Sequence, residues 1–250
     1  MESLFRYVSA PATCTYLPQE VASLEYEMVG RISPAEYLQR MVEGWRRFGH
    51  MMFHPVCAAC SACRSVRVCA DRFRPDRSQR RARRANEGLV RLEIGEPWVT
   101  REKLRLYDRF HEHQSETVGW SYHGAKDVEG YVESFVAQPF PVEEWCYYLD
   151  DRLIGVGYVD VLPGVPGMTA SGEPLLGGLS AIYFYYDPDE KARSLGTWNV
   201  LCAIDETVRR GLPFTYLGYY VEGCRSLEYK GRFAPNQLRG ADGVWRDFRS

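Results

Sequence analysis

From residue 144 to residue 221 the chain passes from a hairpin to a strand, a helix and a further strand, and that order limits the fold more than any other feature. The stretch EWCYYLDDRLIGVGYVDVL holds two apolar runs around the turn LDDR, the pattern of a β-hairpin. A loop rich in Gly and Pro, residues 163–178, precedes the strand LSAIYFYYD; the helix GTWNVLCAIDETVRRG and the strand FTYLGYYV follow. Such an order predicts an α+β fold with a mostly antiparallel sheet. The 163–178 loop is long for a compact domain and reads as a surface insertion.

The first part of the chain is punctuated differently. After a short opening with turn signals at Pro11 and Pro18, SPAEYLQRMVEGWRRFG predicts a helix, with Ser33 as N-cap, Pro34 in the first turn and Gly49 as its stop. HMMFHPV reads as a short strand and SVRVCADRF as a half-buried one. RPDRSQRRARRANEG starts with a turn at Pro75 and Asp76 and continues as a basic helix closed near Gly88. VRLEIGEPW reads as a strand, TREKLRLYDRFHEHQSE as a helix capped by Thr100, and DVEGYVESFVAQ as another helix.

Composition excludes several classes. The 250 residues, 45% hydrophobic and 26% charged, are those of an ordinary folded protein, and a net charge of −2 means that any nucleic-acid surface must be local. No stretch approaches the roughly 20 apolar residues of a membrane span, and the opening lacks a secretory pattern, so a soluble cytoplasmic protein is expected. Eight cysteines without an export signal point to free thiols rather than a disulfide framework.

Three local features bear on chemistry. Arg72, Arg74, Arg77, Arg80, Arg81, Arg83 and Arg84 crowd residues 72–84, and like charges on one helix repel, so an anionic partner is expected, gripped through phosphates by guanidinium forks. A solvated face balanced by acids elsewhere in the fold is the other explanation. Cys57, Cys60 and Cys63 in CAACSAC, with Cys14 as a fourth ligand, have spacings that suit zinc or an iron–sulfur cluster; a tight loop of small buried residues fits the same spacing. Finally, Arg193, Ser194, Leu195 and Gly196 lie where a strand meets a helix, and helix N-termini favour anions.

Hairpin, strand, Arg-x-x-Gly-x, helix and strand together resemble the GNAT acyltransferase fold, whose Arg/Gln-x-x-Gly-x-Gly/Ala loop binds the pyrophosphate of acyl-coenzyme A. Here Trp198 stands where the second small residue should be, and its indole would obstruct a close-lying pyrophosphate. Over nearly its whole length the chain resembles the arginyl-tRNA–protein transferase family, including the bacterial aspartate/glutamate leucyltransferases. The matching stretches are CTYLP (14–18), GWRRFGHMMFHPVCAACSACRSVRV (44–68), FRPDRSQRRARR (73–84), GLSAIYFYYDPDEKARSLGTWNVL (178–201) and YLGYYVEGCRSLEYKGRFAPNQL (216–238).

The resemblance implies an N-terminal module of residues 1–90, bearing the cysteines and the basic helix, packed on a GNAT-like catalytic domain of residues 91–250. It implies transfer of Leu or Arg from aminoacyl-tRNA to proteins that begin with Asp or Glu, marking them for degradation, by a monomer with no required cofactor. Lys230 and Arg232 of EYKGRF are then the leading acceptor-binding residues, joined by Tyr183 and Tyr185 on one face of their strand. Tyr229 would orient the carboxylate or the ester. Asp187 would hold the acceptor ammonium or receive its proton, although DPD is equally a turn that caps the next helix. Arg77, Arg80, Arg81, Arg83, Arg84 and Arg193 would bind tRNA. Two alternatives stand beside this one: a coenzyme A-dependent N-acetyltransferase, and a non-enzymatic RNA-binding protein on a GNAT-like scaffold.

Overall fold

The helix expected from Ser33 to Gly49 stops early. In a computed structural model, which describes residues 1–121 and 124–249, α1 spans Pro34–Val42, with a capping box between Ser33 and Glu36 and with Tyr37, Leu38, Met41 and Val42 buried. Gly44, at a φ of 97° that side chains disfavour, turns the chain out of the helix. Arg46–Phe48 then runs as a strand instead of completing the helix.

In chain order the other early elements are β1 (Glu2–Val8), β2 (Ala12–Thr13), β3 (Val21–Ala22), β4 (Leu24–Arg31), β5 (Arg46–Phe48) and β6 (Met51–Pro55). β1, β4, β6 and β5, in that order, form a small antiparallel sheet, and β2 pairs with β3. All of β1 is exposed, so no buried apolar face distinguishes it in the sequence.

Next come β7 (Arg64–Cys69), α2 (Arg77–Asn86), β8 (Val90–Gly95), α3 (Arg101–Val118), α4 (Val128–Tyr131), β9 (Val142–Leu149), β10 (Arg152–Leu162), β11 (Gly178–Tyr186), α5 (Leu195–Arg209), β12 (Phe214–Tyr220), α6 (Arg225–Glu228), β13 (Asn236–Arg239) and β14 (Trp245–Arg249). Eight of the strands make one large sheet in the order β14-β13-β7-β12-β11-β10-β9-β8. The mixed, mostly antiparallel architecture expected from the sequence is present, and the hairpin turns at Leu149 and Arg152 as read. β7 lies in the middle of this sheet, buried along nearly its whole length, so residues 1–90 contribute both the small sheet and a central strand of the large one.

One pairing differs from the rest. β11 and β12, joined through α5, are parallel, and they pair only at Leu179 with Thr215 and Ser180 with Tyr216. Beyond those residues the strands diverge and the sheet opens into a V. A core including Trp145, Tyr147, Leu195, Trp198 and Leu201 lies at α5, and a second, with Leu106, Phe110, Tyr131 and Phe135, packs α3 and α4 on the sheet. Full burial of side chains this size contributes about 1.5–3 kcal/mol each. The small sheet is locked onto the large one by Arg47, whose Nε donates to Asp160 Oδ2 at 2.7 Å while Nη2 donates to Oδ1; Tyr37 donates to the same carboxylate. No helix among the described residues is long and apolar enough to cross a membrane.

Candidate active site

Strand β5 crosses beside the open V, and strand alternation decides what it presents there. Arg47 points to Asp160; Arg46 and Phe48 take the other face. Phe48 meets the ring of Tyr183 on β11 edge-on, with centroids 5.7 Å apart, and Arg46 Nη2 donates to the carbonyl of Gly218 on β12 at 3.5 Å. One short strand therefore touches both arms of the V.

Arg46 is buried, and among the described residues it has no carboxylate partner. Its Nη1 donates to the Trp45 carbonyl at 2.7 Å, its Nε has no hydrogen-bond partner, and its guanidinium lies 5.6 Å from the centre of the Tyr219 ring. Lys230 arrives from the 3-10 turn after α6 and donates from Nζ to the Tyr219 carbonyl at 3.1 Å. Both cations converge on Gly218, where the β12 register slips and φ is 82°. A Cβ there would stand 3.4 Å from Lys230 Nζ and 3.9 Å from Arg46 Nε. Burial, reinforced by Arg46, pushes the Lys230 ammonium down to about 7, and burial lowers Arg46 too. Arg46 is buried and Lys230 half-buried, and neither has a carboxylate partner among the described residues, an arrangement that suits an anionic ligand.

The structure separates the residues that the sequence grouped. Lys230 lies beside Gly218, whereas Arg232 turns away: its Nη2 donates to Asp76 Oδ2 at 2.8 Å and to Ser78 Oγ at 2.9 Å, at the start of α2. The partner of Lys230 is Arg46 instead. Tyr183 is half-buried beside Phe48, but Tyr185 is fully buried, its hydroxyl bonded to that of Tyr131 in a network that runs through Tyr158 to Glu144 and Lys103. A sealed hydroxyl cannot touch an acceptor. Tyr229 is 42% exposed, with its ring edge-on to Phe233.

Asp187 is likewise committed. It is buried, accepts from Arg109 at 3.1 Å and from Arg152, and caps the 3-10 turn through the Asp189 N–H. Two guanidiniums and a backbone donor occupy its oxygens, which suits the capping alternative rather than proton transfer. Arg193 donates to Glu190 at 2.8 Å and to the Ala85 carbonyl at 2.7 Å, fastening α2 to the start of α5. Trp198 belongs to the core, so its indole does not fill the strand-to-helix loop.

On α2, Arg77, Arg81 and Arg84 recur at i, i+4 and i+7, are exposed, and have no carboxylate partner among the described residues. Arg80 is exposed as well and donates to the Pro75 carbonyl. Arg83 instead clasps Asp205 of α5 with bonds of 2.8 and 2.9 Å. Because Gln79 also donates to the Arg232 carbonyl at 3.1 Å, the basic helix is fixed beside the turn that carries Lys230.

Cys14, Cys57, Cys60 and Cys63 line one cavity of about 440 Å³, which Tyr219 and Arg239 also line. Burial and the neighbouring thiols push Cys63 up to about 12. Among the described residues no three His, Cys, Asp or Glu side chains gather as a metal-ligand set, although the four sulfurs share this wall.

Sequence reasoning missed Arg46 and His111. Arg46 was hidden by assigning GWRRFG to a helix; read as a strand, its two arginines must face opposite ways. His111 was passed over among five scattered histidines, and only its contact with β11 singles it out.

Comparisons with known proteins converge. Residues 12–81 match the family described as Arginine-tRNA-protein transferase, N terminus, and residues 102–240 match Arginine-tRNA-protein transferase, C terminus. An aspartate/glutamate leucyltransferase of Helicobacter hepaticus is 31% identical over 237 residues, covering 94% of this chain and 92% of that protein. The aspartate/glutamate leucyltransferase of Pseudomonas fluorescens is 32% identical over 239 residues, covering 93% and 92%. Among solved structures, the C-terminal domain of a lysylphosphatidylglycerol synthetase from Agrobacterium fabrum is 10% identical with a TM-score of 0.43, over 64% of this chain and 47% of that one, a likeness too slight to carry an argument.

Proposed function

The chain belongs to the arginine-tRNA-protein transferase family, and from that premise we propose that it transfers leucine from aminoacyl-tRNA to the α-amine of proteins beginning with Asp or Glu. The observation that carries this reading is the pair of cations at the open V, Arg46 and Lys230, which have no carboxylate partner among the described residues. A cationic pair selects a carboxylate, and an N-terminal Asp or Glu places its carboxylate a few bonds from the amine that must react. The short parallel pairing of β11 with β12 supports a GNAT-like reading of the domain, in which the ester lies between these two strands. Arg77, Arg80, Arg81 and Arg84 grip the tRNA phosphates on the adjoining face, and Tyr229 borders the donor side. The leucyl product marks its target for degradation in the cytoplasm.

Because the donor ester is already activated, the protein chiefly holds the amine against the carbonyl. Positioning of that kind supplies about 7–11 kcal/mol in favourable cases. The direct test presents purified protein with labelled Leu-tRNA or Arg-tRNA and with peptides starting in Asp, Glu or Ala. Label on the acidic peptides alone, from Leu-tRNA, supports the proposal; transfer from Arg-tRNA alone replaces leucyl by arginyl, and label on the Ala peptide refutes the carboxylate seat.

A further inference from the structure

On α3, His111 is held in one orientation and one tautomer. Its Nδ1 lies 2.7 Å from the Tyr107 carbonyl oxygen, which can only accept, so Nδ1 carries the proton. Nε2 therefore offers a lone pair, and the Tyr183 hydroxyl stands 2.6 Å from it and donates. The two rings are nearly parallel, 6° apart in plane with centroids at 6.1 Å.

Tyr183 lies three residues beyond Ser180, the last β11 residue paired with β12, and so on the diverging arm of the V. Its ring touches Phe48, which shares its face of β5 with Arg46, two residues or roughly 7 Å along the strand. An acceptor whose carboxylate rests on Arg46 and Lys230 thus has its α-amine on the Tyr183 side of the cleft. The neighbouring hydroxyls of Tyr131, Tyr158 and Tyr185 end on the buried Glu144–Lys103 pair and do not open to it.

We propose that Tyr183 and His111 form the proton shuttle of the transfer, Tyr183 touching the reacting atoms and His111 acting through it as a positioning residue. This rests on Arg46 and Lys230 seating the acceptor. The neutral amine attacks the ester carbonyl, the N–C bond forms, and the C=O π pair moves onto oxygen. The proton shed by the new ammonium passes to the Tyr183 oxygen as the Tyr183 proton passes to His111 Nε2. When the carbonyl re-forms, the bond from carbon to the ribose oxygen breaks; that oxygen takes a proton from Tyr183, which recovers its own from His111. One amide and one free ribose hydroxyl result, with no proton left over.

Among the described residues, the groups facing His111 are Asp108 and Tyr107 of its own helix, Lys126 from the segment before α4, and Tyr183 of β11. Burial, with Lys126 acting in the same direction, holds the imidazole below its usual value against the pull of the Tyr107 carbonyl and of Asp108. Protonation in acid removes the acceptor lone pair, so kcat falls as pH drops through that lowered value.

The test uses the full chain with Leu-tRNA and an Asp-starting peptide. Tyr183→Phe should lower kcat by roughly 10²–10⁴-fold while both KM values stay within about threefold. His111→Ala should lower kcat, make the acidic limb of the pH profile less steep, leaving only the titration of the acceptor amine, and regain part of the rate on addition of imidazole. A purely structural role would give neither the less steep limb nor the rescue. Tyr183→Phe with kcat within about threefold of the parent, or His111→Ala with an acidic limb as steep as the parent's, overturns the shuttle. Should Tyr183→Phe fail to fold, imidazole rescue of His111→Ala decides, and absence of rescue counts against. A parent protein that transfers nothing from either charged tRNA refutes the transferase reading instead.

Discussion

Replacing Lys230 by Met keeps the length of the side chain and removes its charge, which isolates the carboxylate seat from the packing around it. Truncating one partner of a buried, hydrogen-bonded charge pair costs about 2–5 kcal/mol, or roughly 30- to several thousand-fold in kcat/KM at about 1.4 kcal/mol per decade. Two features of the site place Lys230→Met at the low end. Arg46 remains to hold the carboxylate, and with its pKa near 7 Lys230 is only half-charged at neutral pH before the acceptor arrives. We therefore expect a loss of about 30- to 100-fold for Asp- and Glu-starting peptides, with the tRNA Kd within about threefold. Folding should respond in the opposite direction. A lysine depressed from 10.5 to about 7 destabilises the fold, fully below pH 7 and not at all above its unfolded value, so Lys230→Met should raise Tm at pH 6 and leave it unchanged near pH 11. Peptide-transfer kinetics, filter binding of charged tRNA and thermal unfolding at the two pH values read all three effects. Equal losses of peptide use and tRNA binding would refute the reasoning, as would a lower Tm at pH 6.

Other outcomes follow from the same structure. The KM for an Asp-starting peptide should be flat below pH 7 and rise above it, as Lys230 loses its proton in the free enzyme; a KM that falls with pH would contradict the seat. Changing Arg77, Arg81 and Arg84 together to Ala should reduce the slope of log K for tRNA against log salt by about 2, at roughly 0.7–0.9 per phosphate contact, whereas Arg83→Ala should loosen α2 from Asp205 instead. Asp160→Ala leaves the buried Arg47 guanidinium unpaired and should cost about 3–5 kcal/mol, lowering Tm by roughly 6–20 °C, which calorimetry would show. In thiol labelling of the folded protein at pH 8, Cys63, though partly exposed, should react slowly because its thiolate is disfavoured.

Much of the central sheet was legible because its strands carry long apolar and aromatic runs around clear turns, as at Leu149 to Arg152. The start of α2 was legible too, since the turn read at Pro75 and Asp76 leads into a helix that Asp76 caps together with Gln79. What stayed hidden depends on contacts distant in sequence. β1 is exposed throughout and takes its strand character from pairing with β4. Arg232 and Lys230 are two residues apart in a 3-10 turn, and only the position of Asp76 sends one of them outward. Asp187 has the composition of a catalytic carboxylate, yet Arg109 and Arg152, 78 and 35 residues away, give it a structural role. Arg46 was lost to a helix that a left-handed Gly44 ends five residues ahead of Gly49.

The place of β7 has a consequence for how the enzyme comes into being. Its hydrogen-bonding edges are filled by β12 on one side and β13 on the other, segments made about 150 residues later. Pairings so remote are slow to close, and a nascent chain exposes β7 to the chaperones until Phe214–Arg239 has left the ribosome. The same late segment brings Gly218 and Lys230, so their meeting with Arg46 waits until the C-terminal part of the chain has been made.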